Sequence, residues 1–363
     1  VIPDPMANPG NERVPAAEAL GQSPYPLPSL PAGWVARVPG LPDVPALVVL
    51  RSRDQAAGTG SRRVDADGIE SEVAGPASWT RRQAIVATED GAIQGWITVH
   101  DRAAGRALIW GWFHREVDGI DEIAARCYRW AEETAVAMAR FRGVSSTRLD
   151  ASPFADDGRQ REWLAQAGYQ HRRTWLHMER PVAADEQVPE LRPGVVIRPV
   201  SRHDNGMPVA ADLQMVHQML EESFEDHFNS YRESFPEFVQ RLREDPGHRW
   251  DHWWLAFVEA EHGDAGVTLL LPAGATVCSV LARDADGFEG SYVEYIGVNR
   301  NARGRGVAKG LLNTVIADAR DRGRDRVGLE VDADSPTSAD QLYRSMGWET
   351  DYATESWFKD LTV

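Results

Sequence analysis

The stretch that most constrains this chain runs from Ser291 to Gly323 and reads strand, tight turn, helix. Ser291 to Val298 is a run of aromatic and β-branched residues without proline, the composition of a strand. Val307, Ala308, Leu311, Leu312, Val315, Ile316 and Ala319 then recur at the spacing of one apolar helix face. Gly323 stands where a left-handed residue would close that helix. Between strand and helix lies Arg303-Gly304-Arg305-Gly306. Glycine permits positive φ and close approach of another molecule to the backbone. The free N–H groups of such a turn, with the helix N-terminus behind them, make an anion site. The charges agree: Arg300, Arg303, Arg305 and Lys309 fall within ten residues that hold no acid, in a chain of formal net charge −16. A glycine-rich turn alone also fits a merely tight strand–helix connection, so the flanking patterns have to decide. The turn is not a Walker A loop, which would end in Gly-Lys-Ser/Thr, nor a Gly-x-Gly-x-x-Gly dinucleotide fingerprint.

The eleven residues Val298-Asn-Arg-Asn-Ala-Arg-Gly-Arg-Gly-Val-Ala308 resemble the acyl-CoA loop of the GNAT superfamily of N-acetyltransferases, whose core is Arg/Gln-x-x-Gly-x-Gly/Ala. Arg303, Gly306 and Ala308 occupy the three defining positions. Further on, Leu329 to Trp348 resembles the next element of that family: a strand, a turn, and a helix ending in Leu-Tyr-x-x-x-Gly-Phe, here Leu342-Tyr343-Arg-Ser-Met-Gly347-Trp348. The resemblance covers roughly residues 195–361. Ser335 departs from it, standing where the family usually carries Asn. The resemblance implies a mixed, mostly antiparallel twisted α/β sheet flanked by helices, with acetyl-CoA as cosubstrate. It places the cofactor against Ile296, Gly297 and Val298 of the strand, against Arg303, Gly304, Arg305, Gly306, Val307 and Ala308 of the turn, and near Ser335.

A chain of 363 residues accommodates two domains. The acidic balance argues against a general nucleic-acid or anionic-membrane surface, while leaving room for a polyanionic cofactor at the local basic cluster. No segment reaches about 18 apolar residues, and the N-terminus shows no basic region followed by an apolar core. Cys127 and Cys278 sit in a helical and a strand pattern and are expected as buried free thiols. Together these point to a cytoplasmic protein without a membrane span.

Residues 1–32 are rich in proline and small residues and read as a disordered or surface-draped arm. From Trp34 onward the order is a strand, a helix capped at Asp43, a polar stretch at 52–82, a hairpin at 84–100, a strand at 106–113, a long amphipathic helix from Ile120 to Phe141, and a strand at 147–150. A helix at Arg161–Tyr169 and a closing strand at 174–178 follow. The same order recurs beyond the linker at 182–194: a strand at 195–199, helices at 212–228 and 235–243, strands at 253–259 and 276–283 around an apparent insertion at 260–274, then the strand–turn–helix unit. Trp163-Leu164-Ala-Gln-Ala-Gly168-Tyr169 overlays Leu342-Tyr343-Arg-Ser-Met-Gly347-Trp348 without a gap. Residues 33–181 therefore read as a degenerate first copy of a catalytic domain at 195–363. Their strand at 106–113 leads into His114-Arg-Glu-Val-Asp-Gly119, which lacks the glycine-loop pattern, and Leu164 replaces the tyrosine. The tandem arrangement with an active C-terminal half is similar to that of mycothiol synthase.

Moving an acetyl group from a thioester to an amine needs a base for the ammonium, donors for the oxyanion and a proton for the thiolate. Glu294 is the candidate base; at period two it is expected to share a strand face with Tyr292, Ile296 and Val298. It reads equally as a solvated strand carboxylate. Tyr343 matches the family's thiolate-protonating tyrosine, a phenol of pKa about 10, and reads otherwise as a core aromatic. Glu221, Glu222, Glu225 and Asp226 are an acidic run that either attracts a cationic acceptor or is a solvated helix face. Cys278 has no neighbouring partner for a ping-pong route, and His248 with His252 lacks a third metal ligand, so no metal is expected.

The leading expectation is an acetyl-CoA-dependent N-acetyltransferase acting on a primary amine of a small molecule or peptide by direct attack in a ternary complex. The alternative is a non-catalytic acyl-CoA-binding or interaction module. A nucleotide-phosphate enzyme would need Mg²⁺ ligands near the loop. The sequence names neither the amine nor the oligomeric state.

Overall fold

The computed structural model describes residues 26–225, 233–262, 267–283, 287–335 and 339–363. Most of the proline-rich arm, the end of the acidic run at Asp226, and the continuation of its helix to residue 228 lie outside them. The first half contributes β1 (Trp34–Arg37), α1 (Val44–Thr59), α2 (Ala66–Ala74), β2 (Arg81–Thr88), β3 (Ile93–Asp101), β4 (Arg106–Phe113), α3 (Ile120–Phe141), β5 (Ser146–Ala151), α4 (Gly158–Gln166) and β6 (Gln170–Pro181). The second half repeats that order with β7 (Val195–Pro199), α5 (Ala210–Phe224), α6 (Phe235–Arg243), β8 (His248–His262), β9 (Val267–Leu281), β10 (Gly290–Val298), α7 (Val307–Asp321), β11 (Arg326–Asp332), α8 (Ala339–Arg344) and β12 (Glu349–Thr362).

The repeat extends to backbone detail. Gly168 and Gly347 both hold positive φ, at 84° and 91°. The next residues close the same turn, Tyr169 N–H on Leu164 O at 3.0 Å and Trp348 N–H on Tyr343 O at 3.1 Å. Such a turn favours glycine because a Cβ is strained at positive φ. The overlay of the two helix ends thus has a physical cause.

All strands join one sheet in the order β1-β2-β3-β4-β5-β12-β6-β11-β10-β9-β8-β7. Two pairs are parallel, β4 with β5 and β10 with β11, at equivalent places in the two halves. The last strands are exchanged. β6, from the first half, pairs along β11, and β12, from the second, pairs along β5; the two pair with each other at the centre. The expectation that residues 174–178 close the first half's own sheet is therefore corrected. An alternating strand pattern fixes which face is buried but leaves the pairing partner open.

Helices cover both faces in each half. The long α3 buries Ile123, Cys127, Ala131 and Met138 on one face of the first half, while α1 and α2 place Leu47, Leu50 and Ile69 on the other. In the second half α7 buries Val307, Leu311, Leu312, Val315 and Ile316 against one face. The opposite face carries α5 and α6 through Leu213, Val216, Leu220 and Phe238. Each such fully buried aliphatic side chain contributes roughly 1.5–3 kcal/mol. The two cysteines are free and buried, Cys127 in the first core and Cys278 in the second.

Of the supposed insertion at 260–274, residues 260–262 and 267–274 instead continue two long paired strands, β8 and β9. Pro272 sits opposite Phe257 where the register shifts, one of the places a strand tolerates proline.

The halves also meet through side chains. Glu244, at the end of α6, is buried. It accepts hydrogen bonds from Thr80 Oγ1 at 2.7 Å and Arg81 Nη1 at 2.9 Å, and its Oε2 lies 3.1 Å from His100 Nε2. Burial pushes His100 down to about 4, so its ring is neutral there. Burial opposes ionisation of Glu244 too, but the hydrogen bonds from His100 and Thr80 and the charge of Arg81 hold its carboxyl below the usual range.

Candidate active site

β10 and β11 are paired over Ser291–Val293 with Val327–Leu329 and then part. From Glu294 onward the backbone of β10 keeps its pairing with β9 on one side only. Unpaired strand backbone is a ready template for an extended amide-bearing ligand. Ile296, Gly297 and Val298 lie along this opening.

The parting coincides with a β-bulge. Val293 pairs with Cys278 and Tyr295 with Val277, leaving Glu294 as the extra residue. A bulge of this kind shifts the alternation by one. Val293, Ile296 and Val298 pack on the α7 side, whereas Tyr295 packs on the α5–α6 side, 6.4 Å from both Phe224 and Phe238. Glu294 is on that second side too, because its Oε1 accepts from Ser279 Oγ at 2.7 Å, and Ser279 is the cross-strand partner of Tyr292. The expectation that Glu294 shares a face with Ile296 and Val298 is thus corrected: it shares one with Tyr292 and Tyr295.

Its surroundings suit proton transfer. Burial, then the negative charge of Asp245, raise the Glu294 carboxyl to about 7, against the opposing Ser279 hydrogen bond and the Arg241 charge. A base poised near neutral pH is what such a step needs.

The turn that follows β10 is a short 3₁₀ segment, Arg300–Ala302, then two glycines with positive φ, Gly304 at 78° and Gly306 at 89°. Gly306 is the N-cap of α7 and offers no side-chain cap, and the first turn of α7 contains no acid. Its opening N–H groups therefore point outward uncompensated, the arrangement that attracts phosphate. Val307 anchors the turn in the core, while Arg303 and Arg305 are exposed and Ala308 half-buried. Arg305 donates to Glu259 O at 2.8 Å. A residue that the sequence reading passed over joins them: Arg192, in the linker, donates to Gly304 O at 3.3 Å. Its stem covers Gly306, whose Cβ would lie 2.6 Å from Arg192 Cδ. No motif marks a linker arginine; only its approach to the glycines does. Asn299 starts the turn and donates to Glu222 Oε2 at 2.8 Å. One carboxylate of the acidic run is therefore committed to holding the loop.

Tyr343 on α8 is buried on the α7 side, its ring 6.0 Å from Trp348. Burial raises its phenol to about 12. Glu294 and Tyr343 thus belong to opposite faces of the sheet, and the parting of β10 from β11 is the opening between those faces. Ser335 follows β11, with its N–H on Asp332 O at 3.2 Å. Cys278 is buried on the α7 side with a strongly raised thiol, burial being the main cause. Both ring nitrogens of His252 are engaged, Nδ1 with Asp251 Oδ1 and Nε2 with Arg324 Nη1, each at 2.7 Å. Among the described residues no group of three or more His, Cys, Asp or Glu is placed to hold a metal ion. No helix among them is long and apolar enough to cross a membrane.

The equivalent place in the first half is closed. Gly119 repeats the positive φ of Gly306, at 77°, ahead of α3. There the helix's first turn carries Asp121 and Glu122, and Asp121 Oδ1 accepts from Trp163 Nε1 at 2.7 Å and Arg159 Nη2 at 2.9 Å. Arg115, in the turn, is held by Asp54 and the buried Asp157. Gln160 from α4 donates to Gly111 O at 3.0 Å, filling the gap where β4 leaves β5. Protein groups occupy the positions that the second half leaves open.

The acetyltransferase (GNAT) family model matches residues 214–348, which span Glu294, the glycine turn and Tyr343. No curated protein matches the chain. Among solved structures, a GCN5-related N-acetyltransferase from Sphaerobacter thermophilus aligns over 92% of this chain and 98% of its own, with a TM-score of 0.67 at 22% identity. The GCN5-related glucosamine N-acetyltransferase region of a fungal multi-domain GH3 β-N-acetylglucosaminidase aligns over 91% of this chain and 38% of that one, with a TM-score of 0.60 at 11% identity. A tandem GNAT protein from the clavulanic acid biosynthesis pathway aligns over 90% and 98%, with a TM-score of 0.52 at 13% identity. At such identities the likeness is one of fold, here a tandem GNAT fold. The family model thus marks an acetyltransferase (GNAT) domain at residues 214–348, and the solved structures share the fold of the whole chain.

Proposed function

We propose that the second half, residues 195–363, is an acetyl-CoA-dependent N-acetyltransferase acting on a primary amine in a ternary complex, and that residues 33–181 are a degenerate copy without a cofactor site. The observation that carries this reading is the opening between β10 and β11, with the half-buried Glu294 carboxyl, raised to about 7, on one side and an acid-free helix N-terminus at its end. Acetyl-CoA would supply the acetyl thioester. Its pyrophosphate fits the N–H groups of residues 306–308 with Arg303, Arg305 and Arg192 around them. Its amide-bearing arm fits the open edge of Ile296, Gly297 and Val298, with Ser335 across the opening.

Glu294 takes the ammonium proton of the acceptor, directly or through a water, so that the nitrogen lone pair becomes free to attack. Open N–H groups of β10 donate to the oxygen that gains charge. The Tyr343 hydroxyl gives its proton to the leaving thiolate, sulfur taking the electron pair of the broken C–S bond. A phenol raised to about 12 is a weak acid, and donation from it is driven by the poorer solvation of a thiolate in the same buried surroundings.

The test is free-CoA appearance from acetyl-CoA across a panel of small primary amines and amine-bearing peptides, followed with a thiol reagent. Amine-dependent release supports the transferase. Acetyl-CoA binding without release for any amine would favour the alternative, an acyl-CoA-binding module.

A further inference from the structure

Glu294 has a counterpart on the other lip of the opening. β10 and β11 pair in parallel through Tyr292 with Gly328 and Val293 with Leu329, and the next residues on each strand are Glu294 and Glu330. Leu329 and Val331 pack on the α7 side, so alternation turns Glu330 to the α5–α6 side, which is the side of Glu294. Two residues back on that face the ring of Tyr292 leans over Gly328, where a Cβ would lie 3.1 Å from Tyr292 Cδ2.

The two exchanged strands hold Glu330 in place. Its partner across β6 is His177, and the partner of His177 across β12 is Tyr352. His177 Nε2 lies 2.8 Å from Glu330 Oε1, which also accepts from Thr354 Oγ1 at 3.0 Å. The rings of His177 and Tyr352 stack with centroids 4.2 Å apart, and Phe154 of the first half meets Tyr352 edge-on at 5.5 Å. Phe154 is in turn packed against Gly58 of α1, where any Cβ would clash with its ring. One oxygen of Glu330 is thus fixed by two partners. The other takes no hydrogen bond among the described residues, and the side chain is 36% exposed. No arginine or lysine among the described residues pairs with Glu294 or Glu330. Two arginines that reach this face are held by other carboxylates. Arg241, over the ring of Tyr295, pairs with Glu233 at 2.6 Å, and Arg173 lies 3.9 Å from both Asp332 and Asp334.

A carboxylate beside an amine that must lose its proton works against the reaction, because it favours the charged ammonium. Glu294 escapes this by taking the proton itself. Glu330 would only hold the reacting nitrogen back if that nitrogen were its sole partner. A second cation on the acceptor keeps its charge throughout and gives Glu330 a partner that the reaction does not consume. We propose that Glu330 is a specificity-determining residue that receives a second positive charge on the acceptor, so that the substrate is a diamine, and that His177 and Thr354 are positioning residues for it. The proposal rests on acetyl transfer to an amine at this opening. Paired strands lie about 4.8 Å apart and these two are diverging, so a short linker between the two nitrogens fits. The first half, without a cofactor site of its own, thereby takes part in choosing the substrate: it supplies His177 and the wall behind Tyr352.

The test is steady-state CoA release by the full chain with terminal diaminoalkanes, each set beside the monoamine and the amino alcohol of the same chain length. Wild type should favour a diamine over its monoamine by about 10-fold in kcat/KM, through KM, beyond the advantage of a second reacting end. The preference should shrink as salt screens an exposed carboxylate, and the amino alcohol should gain little. Glu330→Gln should remove the preference. His177→Ala frees the carboxylate and should weaken the preference, while His177→Gln, which keeps a donor, should restore most of it. An amino alcohol that matches the diamine, or a preference that survives Glu330→Gln, overturns the proposal. If that variant does not fold, a wild-type preference left intact by high salt does so instead. Failure of the underlying reading looks different. No release with any amine sinks the transferase and this proposal together, whereas release with monoamines and diamines alike sinks the second cation alone.

Discussion

Glu294→Gln is the perturbation whose size the structure lets us work out most fully. Glutamine keeps the length of the side chain and can still accept from Ser279, but it cannot take a proton. The wild-type carboxyl titrates near 7, well above an ordinary glutamate. A folded-state value raised this far means that Glu294 is protonated and idle below about pH 7 and available above it. Wild-type turnover should therefore fall as pH drops through about 7, beyond the loss from the amine's own protonation. General-base help is worth about 10²–10⁴-fold, and the variant should lose about that much at pH 7. An alkylamine with a lysine-like pKa of about 10.4 is neutral to about 1 part in 2,500 at pH 7 and about 1 part in 25 at pH 9. Without a base, only that neutral fraction reacts, so the variant should regain about 100-fold between those two pH values. A less basic amine should suffer less from the substitution. The assay is thiol release from acetyl-CoA at saturating cosubstrate, across pH, with two amines of different basicity. A variant with wild-type rate and an unchanged profile would refute the assignment.

Tyr343→Phe keeps the buried ring and removes only the hydroxyl; it should lower kcat by about 10²-fold or more while leaving acetyl-CoA affinity nearly unchanged, and equal kcat would make Tyr343 purely structural. Arg81→Met strands the buried Glu244 carboxylate between the halves and should cost about 3–5 kcal/mol, read from urea unfolding; a loss below about 1 kcal/mol would mean that this contact does not join the halves. His100, held near 4 by burial, is neutral in the fold but takes a proton near 6.5 once unfolded. The fold should therefore lose stability as pH falls from about 6.5 to about 4, and the His100→Gln variant should lack that part of the decline.

The parts of the chain legible in the sequence are those whose pattern is local. Ile120–Phe141, Arg106–Phe113, Val195–Pro199 and Phe235–Arg243 have the expected ends because each carries a full period of its own. The glycine turn was legible because positive φ at Gly304 and Gly306 demands a particular residue. What stayed hidden depends on partners distant in sequence. The bulge at Glu294 inserts no unusual residue, so alternation alone placed the carboxylate on the wrong face. Ser279 and Asp245 become neighbours of Glu294 only through the register of β9 and the end of α6. The exchange of β6 and β12 is invisible for the same reason, since nothing in a strand's own pattern says which edge it meets. Arg192 shows the limit most simply: an arginine in a proline-containing linker gains meaning only when its stem lies on Gly306.

The central claim is that one half keeps an acetyl-CoA site and the other has filled its copy, and titration calorimetry of the intact chain tests it most directly. Wild type should bind one acetyl-CoA per chain. Gly306→Asp should lose that binding, because a side chain at φ 89° strains the turn by about 1–2 kcal/mol and its carboxylate repels the pyrophosphate from the α7 N-terminus. Two equivalent sites per chain, or undiminished binding by Gly306→Asp, would contradict the account.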